Sequence, residues 1–248
     1  MYLVVCSETD VNGIWAYENL LAIGLAPLSL VTLESLASST TWEHRIGPDG
    51  AHLRFELKDG RRFCSSQIRG VLNRALFASP NLMAEAVEED REYANNEIVA
   101  FYLSWLHLLR GVINRPSPLG LSGSWQHNSQ ASLLAGQAGL ATSPYRQSVA
   151  TPMEAGYTSL APIGATITHH VVLRDRVYSD PYAAPIPQHV ANACIEFGVL
   201  CKTELMGIDL YCSNGEGLTF AGATPHANLM VGGLPLIHAL ATYLRSAE

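Results

Sequence analysis

The chain has 248 residues, of which 48% are hydrophobic and 15% are charged, and its formal net charge is −7. This length supports one large or two modest domains with a substantial buried core. The negative charge argues against nucleic acids and anionic membranes as partners, because both attract clustered Lys and Arg side chains. The apolar composition predicts instead that part of the surface is buried in a homodimer or against a partner protein.

Cysteine usage and the first residues predict a soluble, cytoplasmic protein. The five cysteines form no Cys-x-x-Cys pair and are odd in number, which indicates reduced and mostly buried thiols. Residues 1–6 include no basic leader and are typical of a first strand rather than of a signal peptide. The apolar segment 98–112 is too short to span a bilayer.

The first part of the chain predicts an α/β lobe. A helix is expected over residues 11–23, capped by Asp10 and ended by Gly24. The Gly-Pro-Asp-Gly segment 47–50 is a hairpin signal between two β-rich runs. The order strand, helix, strand and hairpin is typical of an α/β lobe. Strands are predicted at residues 2–7, 28–33, 42–46, 51–57 and 61–64.

A short sequence occurs twice, as Gly-Val-Leu-Asn-Arg at residues 70–74 and as Gly-Val-Ile-Asn-Arg at residues 111–115. A long helix is predicted between the two copies, over residues 81–110, with Ser-Pro at 79–80 as its start. Two strands joined by a helix lie parallel and end at the same sheet edge, where open α/β sheets bind ligands. Arg74 and Arg115 are therefore candidate ligand contacts, unless they only cap the strand ends and pair with nearby acids.

The second half of the chain predicts a crossover followed by mixed helices and strands. The crossover is rich in Pro, Gly and Ser and covers residues 117–125. A turn is expected at Arg174-Asp175, and a loop is expected over residues 148–166. Helices are predicted at 128–138, 188–197 and 234–245, and strands at 168–173, 176–178, 206–212 and 218–221.

Four motifs follow one another between residues 110 and 240. They are Val112-Ile113-Asn114-Arg115-Pro116, the helix from Asn128-Ser129 to Gly139-Leu140 with Pro144, Val171-Val172-Leu173-Arg174-Asp175-Arg176-Val177, and Gly207-Ile208-Asp209. In this order they resemble the ATP-grasp ligases, in particular the ribosomal-protein glutamate ligases and the peptide-crosslinking graspetide ligases. The resemblance implies an α/β (α+β) fold with a pre-ATP-grasp-like lobe over residues 1–116. A reduced ATP-grasp-like domain would follow over 117–248, with a truncated lid near 145–167.

The departures from the family fall on the residues that hold ATP and magnesium. The family's Asp, Glu and Asn metal ligands fall on Asp209, Gly222 and Thr224, and the lysine of its Asn-Lys helix falls on Ser129. No lysine occurs anywhere in residues 59–201. Magnesium needs several oxygen ligands, and triphosphate binding depends on positive charge. The comparison therefore predicts that no cofactor is bound and that ATP-dependent ligase activity has been lost.

The first functional hypothesis is an ATP-grasp-like protein that binds a small molecule or a peptide and acts with a partner. Peptide or amino-acid modification is the expected setting, because the resemblance is to ligases of that kind. The cleft of the fold would hold the ligand, and arginine side chains would contact its anionic groups. The candidate contacts are Arg74, Arg115, Arg174 and Arg176.

A second hypothesis is an active but divergent ATP-dependent carboxylate–amine ligase that uses ATP and magnesium. In that enzyme arginines would replace the missing lysines. Asp209, together with Glu204 or Glu216, would hold the metal.

A third hypothesis is a metal-dependent enzyme that uses histidines in the same cleft. The candidate ligands are Asp209, His226 and one of His169 or His170. Imidazole suits zinc or iron better than magnesium. The opposing interpretation is that these histidines are exposed or hydrogen-bonded and hold no metal.

Overall fold

The computed structural model describes residues 1–48, 50–76, 86–143, 164–180, 185–213 and 217–246. The chain divides into two compact units, Met1–Gly123 with Ile237–Glu248, and Ser124–Leu236. The sequence predicted a boundary at 116/117, whereas this division falls at 123/124 and groups the last residues with the first unit. None of the helices in the described part has the length and hydrophobicity that crossing a bilayer requires.

The first unit is built on a parallel sheet and a hairpin sheet. The strand–helix–strand order predicted for the N-terminal lobe is confirmed, and Gly24 ends the first helix with a φ of 80°. The elements of this unit are β1 (Tyr2–Cys6), α1 (Val11–Ala22), β2 (Leu28–Thr32), α2 (Leu33–Ala37), β3 (Thr41–Gly47), β4 (Gly50–Glu56), β5 (Arg62–Cys64), β6 (Gly70–Asn73), α3 (Arg91–Leu108) and β7 (Gly111–Ile113). The last helix of the chain, α6 (Gly233–Ser246), extends into this unit from residue 237.

The repeated pentapeptide forms two adjacent strands, as predicted. The order of the parallel sheet is β2-β1-β6-β7, and β6 pairs with β7 with Gly70 opposite Gly111. All four strands run in the same direction, so their carboxyl ends meet at one edge.

Helix α3 packs its aromatic face against the hairpin sheet of order β3-β4-β5. Phe55 stacks on Phe63 at 4.7 Å and meets the edge of Trp105 at 5.2 Å. The predicted helix over 81–110 is too long, because α3 begins at residue 91 after a 3-10 turn, Glu88–Asp90. The acidic side chains of that turn are favourable beside the positive end of a helix and mark its start. Residues 77–85, with the predicted Ser-Pro cap, lie outside the described part.

The described residues of the second unit form a five-stranded sheet with helices on one face. The elements are α4 (Asn128–Gln137), β8 (Ala141–Thr142), β9 (Thr166–Leu173), β10 (Arg176–Ser179), α5 (Gln188–Leu200), β11 (Leu205–Ser213) and β12 (Gly217–Thr224). The strand order is β10-β9-β11-β12-β8, and of these pairings only that of β12 with β8 is parallel. Helices α4 and α5 cover one face, where Val172, Ile208, Leu210 and Phe220 join their core.

The thiols divide into a buried and an accessible group, and all five are unpaired. Burial raises the pKa of Cys6 and of Cys194 to about 12, and that of Cys201 to about 11. Cys64 is half-buried, and the Ser66 hydroxyl, 3.2 Å from its sulfur, lowers the pKa of this thiol. Because the thiolate is the reactive form, Cys64 is the most reactive thiol whose pKa is shifted.

We predict that two thiols, Cys64 and the exposed Cys212, react rapidly with an aromatic disulfide reagent in the native protein. The other three should react only after denaturation, because they are buried and protonated. The Cys64→Ser variant should lose one fast equivalent, and Cys194→Ser should lose none. Rapid labelling of three or more thiols in the native wild type would contradict this division.

A buried ion pair joins the start of α1 to the end of β6. Arg74 Nε donates to Asp10 Oδ2 at 2.7 Å, and the two side chains are 1% and 5% exposed. Asp10 was predicted to cap α1. It occupies the N-cap position but makes no side-chain cap hydrogen bond, since its carboxylate is engaged by Arg74.

We predict that Arg74→Ala and Asp10→Ala each lower the free energy of unfolding by about 3–5 kcal/mol, because each leaves one buried charge unpaired. The double variant Asp10→Leu/Arg74→Met should lose much less than the sum of the two single changes. Urea denaturation of the four proteins forms a double-mutant cycle. Additive losses would show that the two side chains do not act as a pair.

Candidate functional site

The candidate site lies on the three central strands of the second unit. In the register of β9 and β11, Asp209 is opposite His169, and on the other side β12 places Gly222 opposite Asp209. The register shifts between Asp209 and Leu210, which marks a β-bulge at this point. Since Ile208 and Leu210 face the helices, the alternation along β11 places Asp209 on the opposite face.

Asp209 is held by a histidine from the neighbouring strand. His169 Nδ1 lies 2.7 Å from Asp209 Oδ1, with the two side chains 58% and 44% exposed. The pair is thus open to solvent, and its carboxylate has one oxygen committed to an imidazole.

The side chain of His170 lies on the other face of the sheet, where two hydroxyl groups contact its ring nitrogens. Its Nδ1 lies 2.7 Å from the Ser179 hydroxyl, and its Nε2 lies 2.9 Å from the Thr168 hydroxyl. Burial lowers the pKa of His170, and the charge of His169 lowers it further, against the opposing effect of Asp209. The ring is therefore a neutral, doubly hydrogen-bonded core histidine.

The metal ligands predicted from the histidines are not gathered in the described residues. His226 follows β12, and its backbone N–H donates to the Thr224 hydroxyl at 3.1 Å. Across the described segments, no three His, Cys, Asp or Glu side chains converge as metal ligands. An ion shared by Asp209, His226 and one of His169 or His170 stays a prediction. Alternation along β9 separates the two histidines onto opposite faces, and His169 is the one that contacts Asp209.

Of the two glutamates proposed to join Asp209 in a divergent ligase, Glu204 lies away from it. Glu204 precedes β11 by one residue, and Arg174 lies 4.0 Å from its carboxylate. Five residues of extended chain place it about 16 Å from Asp209, which is too far for one ion. The other proposed ligand, Glu216, lies outside the described residues.

The residues that the resemblance aligns with the magnesium site do not fit a magnesium ion. Gly222 and Thr224 stand opposite Asp209 and Gly207, so the register reproduces the expected ligand positions with one carboxylate among them. On α4, Ser129 takes the place of the family lysine, and its backbone N–H and hydroxyl both contact His127 Nδ1, the helix cap. The Ser129 hydroxyl carries no charge with which to hold a phosphate.

The four predicted arginines have different environments. Arg74 is in the buried pair with Asp10, so its guanidinium is not exposed to a ligand. Arg115 donates to the backbone carbonyls of His107 and Arg110 at the end of α3. Arg174, with a φ of 53°, makes the β9–β10 turn, and Arg176 is exposed at the start of β10.

A pocket that the sequence did not predict adjoins this turn. It has a volume of about 550 Å³ and combines the charged residues of the turn with one face of α5. Its lining includes Arg174, Asp175, Lys202, Glu204, Ile195 and Val199. In the sequence, the predicted Arg174-Asp175 turn was the indication of charged residues in this region. Nothing in the sequence indicated that Lys202 lies near that turn.

The structure is similar to solved peptide-modifying ligases. The macrocyclase MdnC of Microcystis aeruginosa, bound with precursor peptide MdnA, has a TM-score of 0.78 and 12% identity, covering 100% of both chains. An ATP-grasp ligase of Chryseobacterium gregarium associated with RiPPs, in complex with ADP and a leader and core peptide, has a TM-score of 0.70 and 10% identity, covering 100% of this chain and 97% of that one. The ATP-grasp ligase PsnB, complexed with a precursor variant, Mg and ADP, has a TM-score of 0.70 and 15% identity, covering 98% and 97%.

No family model matches the sequence, and no curated protein matches it. The structural similarity at these low identities establishes the fold alone. The predicted α/β class and the ATP-grasp-like fold are confirmed.

Gly222→Glu is predicted to create a divalent cation site beside Asp209. A Cβ at Gly222 would meet no atom within 4 Å, so the side chain fits, and it would place a second carboxylate across the strand pair. Calorimetric titration with Mn²⁺ should detect binding that the wild type lacks. Gly222→Gln, which has the same size without the charge, is the matched control. Equal titrations of the Glu and Gln variants would contradict the geometry.

Proposed function

We propose that this ATP-grasp-fold protein binds a peptide within a peptide-modifying system and does not itself couple ATP to ligation. The proposal that the protein binds a peptide rests on the solved structures that this chain resembles. MdnC is bound with a precursor peptide, and the Chryseobacterium gregarium ligase is in complex with a leader and core peptide. A fold that is retained over the full length of such enzymes supports retention of peptide binding.

The proposal that the protein does not couple ATP to ligation rests on the pairing of β11 with β12. Asp209 faces Gly222, and Gly207 faces Thr224, so only one carboxylate remains in the aligned metal set. Phosphoryl transfer depends almost wholly on positioning and on cations that stabilise the transferring group. Each lost donor costs about 2–4 kcal/mol of transition-state stabilisation, and this chain lacks two metal ligands and the family lysines.

The divergent ligase is the competing function. Asp209 is present, and the similar ligase PsnB is complexed with Mg and ADP. In that alternative Asp209 would be indispensable, whereas in our proposal it is paired with His169 and has no part in nucleotide binding.

Calorimetric titration with ATP, with and without MgCl₂, separates the two functions. We expect no magnesium-dependent binding and no steady release of phosphate, and Asp209→Ala should behave as the wild type does. Asp175→Ala removes an exposed carboxylate from the same unit and is the matched control. Magnesium-dependent ATP binding that is lost in Asp209→Ala, but kept in Asp175→Ala, would refute the proposal.

The peptide half is tested with the same preparations by selection from a displayed library of random dodecapeptides. We expect a recurring sequence whose synthetic copy binds in solution with or without ATP. Failure to enrich any sequence would refute peptide binding and would leave the nucleotide result intact.

A further inference from the structure

The repeated sequence begins one residue before strands β6 and β7, with an arginine in each copy. Residues 69–74 read RGVLNR and residues 110–115 read RGVINR. Since Gly70 pairs with Gly111 in the parallel register, Arg69 and Arg110 immediately precede adjacent strands. Both arginines therefore stand at the amino edge of the sheet, opposite the edge that usually binds ligands.

The backbone holds both arginines in place, while their side chains are exposed. The Arg69 N–H donates to the Met1 carbonyl at 2.8 Å. The Arg110 carbonyl accepts from the guanidinium of Arg115. Neighbouring strands lie about 4.8 Å apart, so two guanidinium groups start from backbone positions about one strand spacing apart. A carboxylate between two arginines would be attracted by both charges.

The two arginines line one pocket of about 510 Å³ in the first unit. His52, Ser65 and Ser66 add polar groups, and among the lining residues that the structure describes there is no Asp or Glu. The aliphatic side chains of the lining are Ala51, Ile68, Leu108 and Leu109. The pocket thus combines a positively charged rim with an apolar floor.

Ser65 holds in place the part of the pocket lining that its own 3-10 turn forms. Its hydroxyl accepts from the Leu53 N–H at 3.2 Å, which ties the 3-10 turn Ser65–Gln67 to β4. Since β4 is packed on α3 through Phe55 and Trp105, this turn and the end of α3, which is followed by Arg110, are attached to one core. The pocket is preorganised by the packing of the unit.

We propose that this pocket binds an acidic peptide segment, with a Glu or Asp carboxylate between Arg69 and Arg110 and a neighbouring aliphatic residue on the apolar floor. Guanidinium forks match a carboxylate in two parallel hydrogen bonds. A polyanionic nucleic acid is disfavoured by the net charge of −7. The described lining also has no Phe, Tyr or Trp side chain on which a base could stack. This site lies in the first unit and does not depend on whether the second unit uses ATP.

Fluorescence anisotropy with a labelled octapeptide, GGLELELG, tests the proposal on the full chain. We expect saturable binding that weakens at least tenfold in Arg69→Gln/Arg110→Gln. The isosteric probe GGLQLQLG should show a similar loss on the wild type. Binding should also weaken as NaCl is raised, because charge pairs at a protein surface are screened.

The matched control is Arg45→Gln/Arg54→Gln, which removes two exposed arginines from β3 and β4 outside the pocket. It changes the net charge equally and should leave the affinity within twofold of the wild type. Equal weakening in both double variants would show a general charge effect and overturn the site. Displacement of the probe by inorganic phosphate at equal concentration would overturn peptide recognition in favour of a simple oxyanion site. Thermal melts of both variants confirm that each is folded.

Discussion

The buried ion pair of Asp10 and Arg74 is the interaction around which the first unit is organised. A guanidinium that is 1% exposed must find its counter-charge inside the protein. Asp10 provides it from the turn before α1, and the Arg74 N–H donates to the Val5 carbonyl at 2.7 Å. Gly13 is required beside the pair, because a Cβ there would lie 2.8 Å from Asp10 Oδ2. One contact thus connects β1, α1 and β6 at a single sheet edge.

Asn73 closes the same edge by bonding to the backbone of the following crossover. Its amide donates to the carbonyls of Asn114 and Leu121, each at 2.7 Å, and its own carbonyl accepts from the Ser122 hydroxyl at 2.8 Å. The carboxyl ends of β6 and β7 are therefore filled by the protein's own polar groups. At the opposite edge the pairing of β6 and β7 places two exposed arginines, Arg69 and Arg110, before adjacent strands.

Much of this fold could be predicted from sequence because its signals are local. The Gly-Pro-Asp-Gly turn, Gly24 and the repeated pentapeptide each specify nearby backbone geometry, and the expected elements are present. The sequence did not reveal which polar residues pair with each other when they lie far apart along the chain. Arg74 was predicted to contact a ligand because it follows a strand at the ligand-binding edge of the sheet, whereas its partner, Asp10, lies 64 residues away in the sequence. No periodic pattern reports such a pairing.

The candidate site shows the same limit of sequence analysis, because its motifs did not show which residues are neighbours in space. The sequence left open whether His169 or His170 approaches Asp209, and only the strand register shows that His169 is the one that meets it. In the same way, the two arginines of the amino edge are adjacent in space because the register of β6 and β7 makes them so. Motifs identify which residues are unusual, whereas strand pairing decides which of them are neighbours.

Alternation along β11 separates the residues that hold this sheet together from those of the candidate site. Ile208 and Leu210 are fully buried against the helices, and together with Phe220 on β12 they specify the pairing. A slip by one residue would expose this core, so packing holds the register without help from Asp209 or Gly222. At Gly222 a side chain would enter open space, so a substitution at this position costs little folding energy. The core face holds the strand pairing, and the other face carries Asp209 with its partner imidazole, His169.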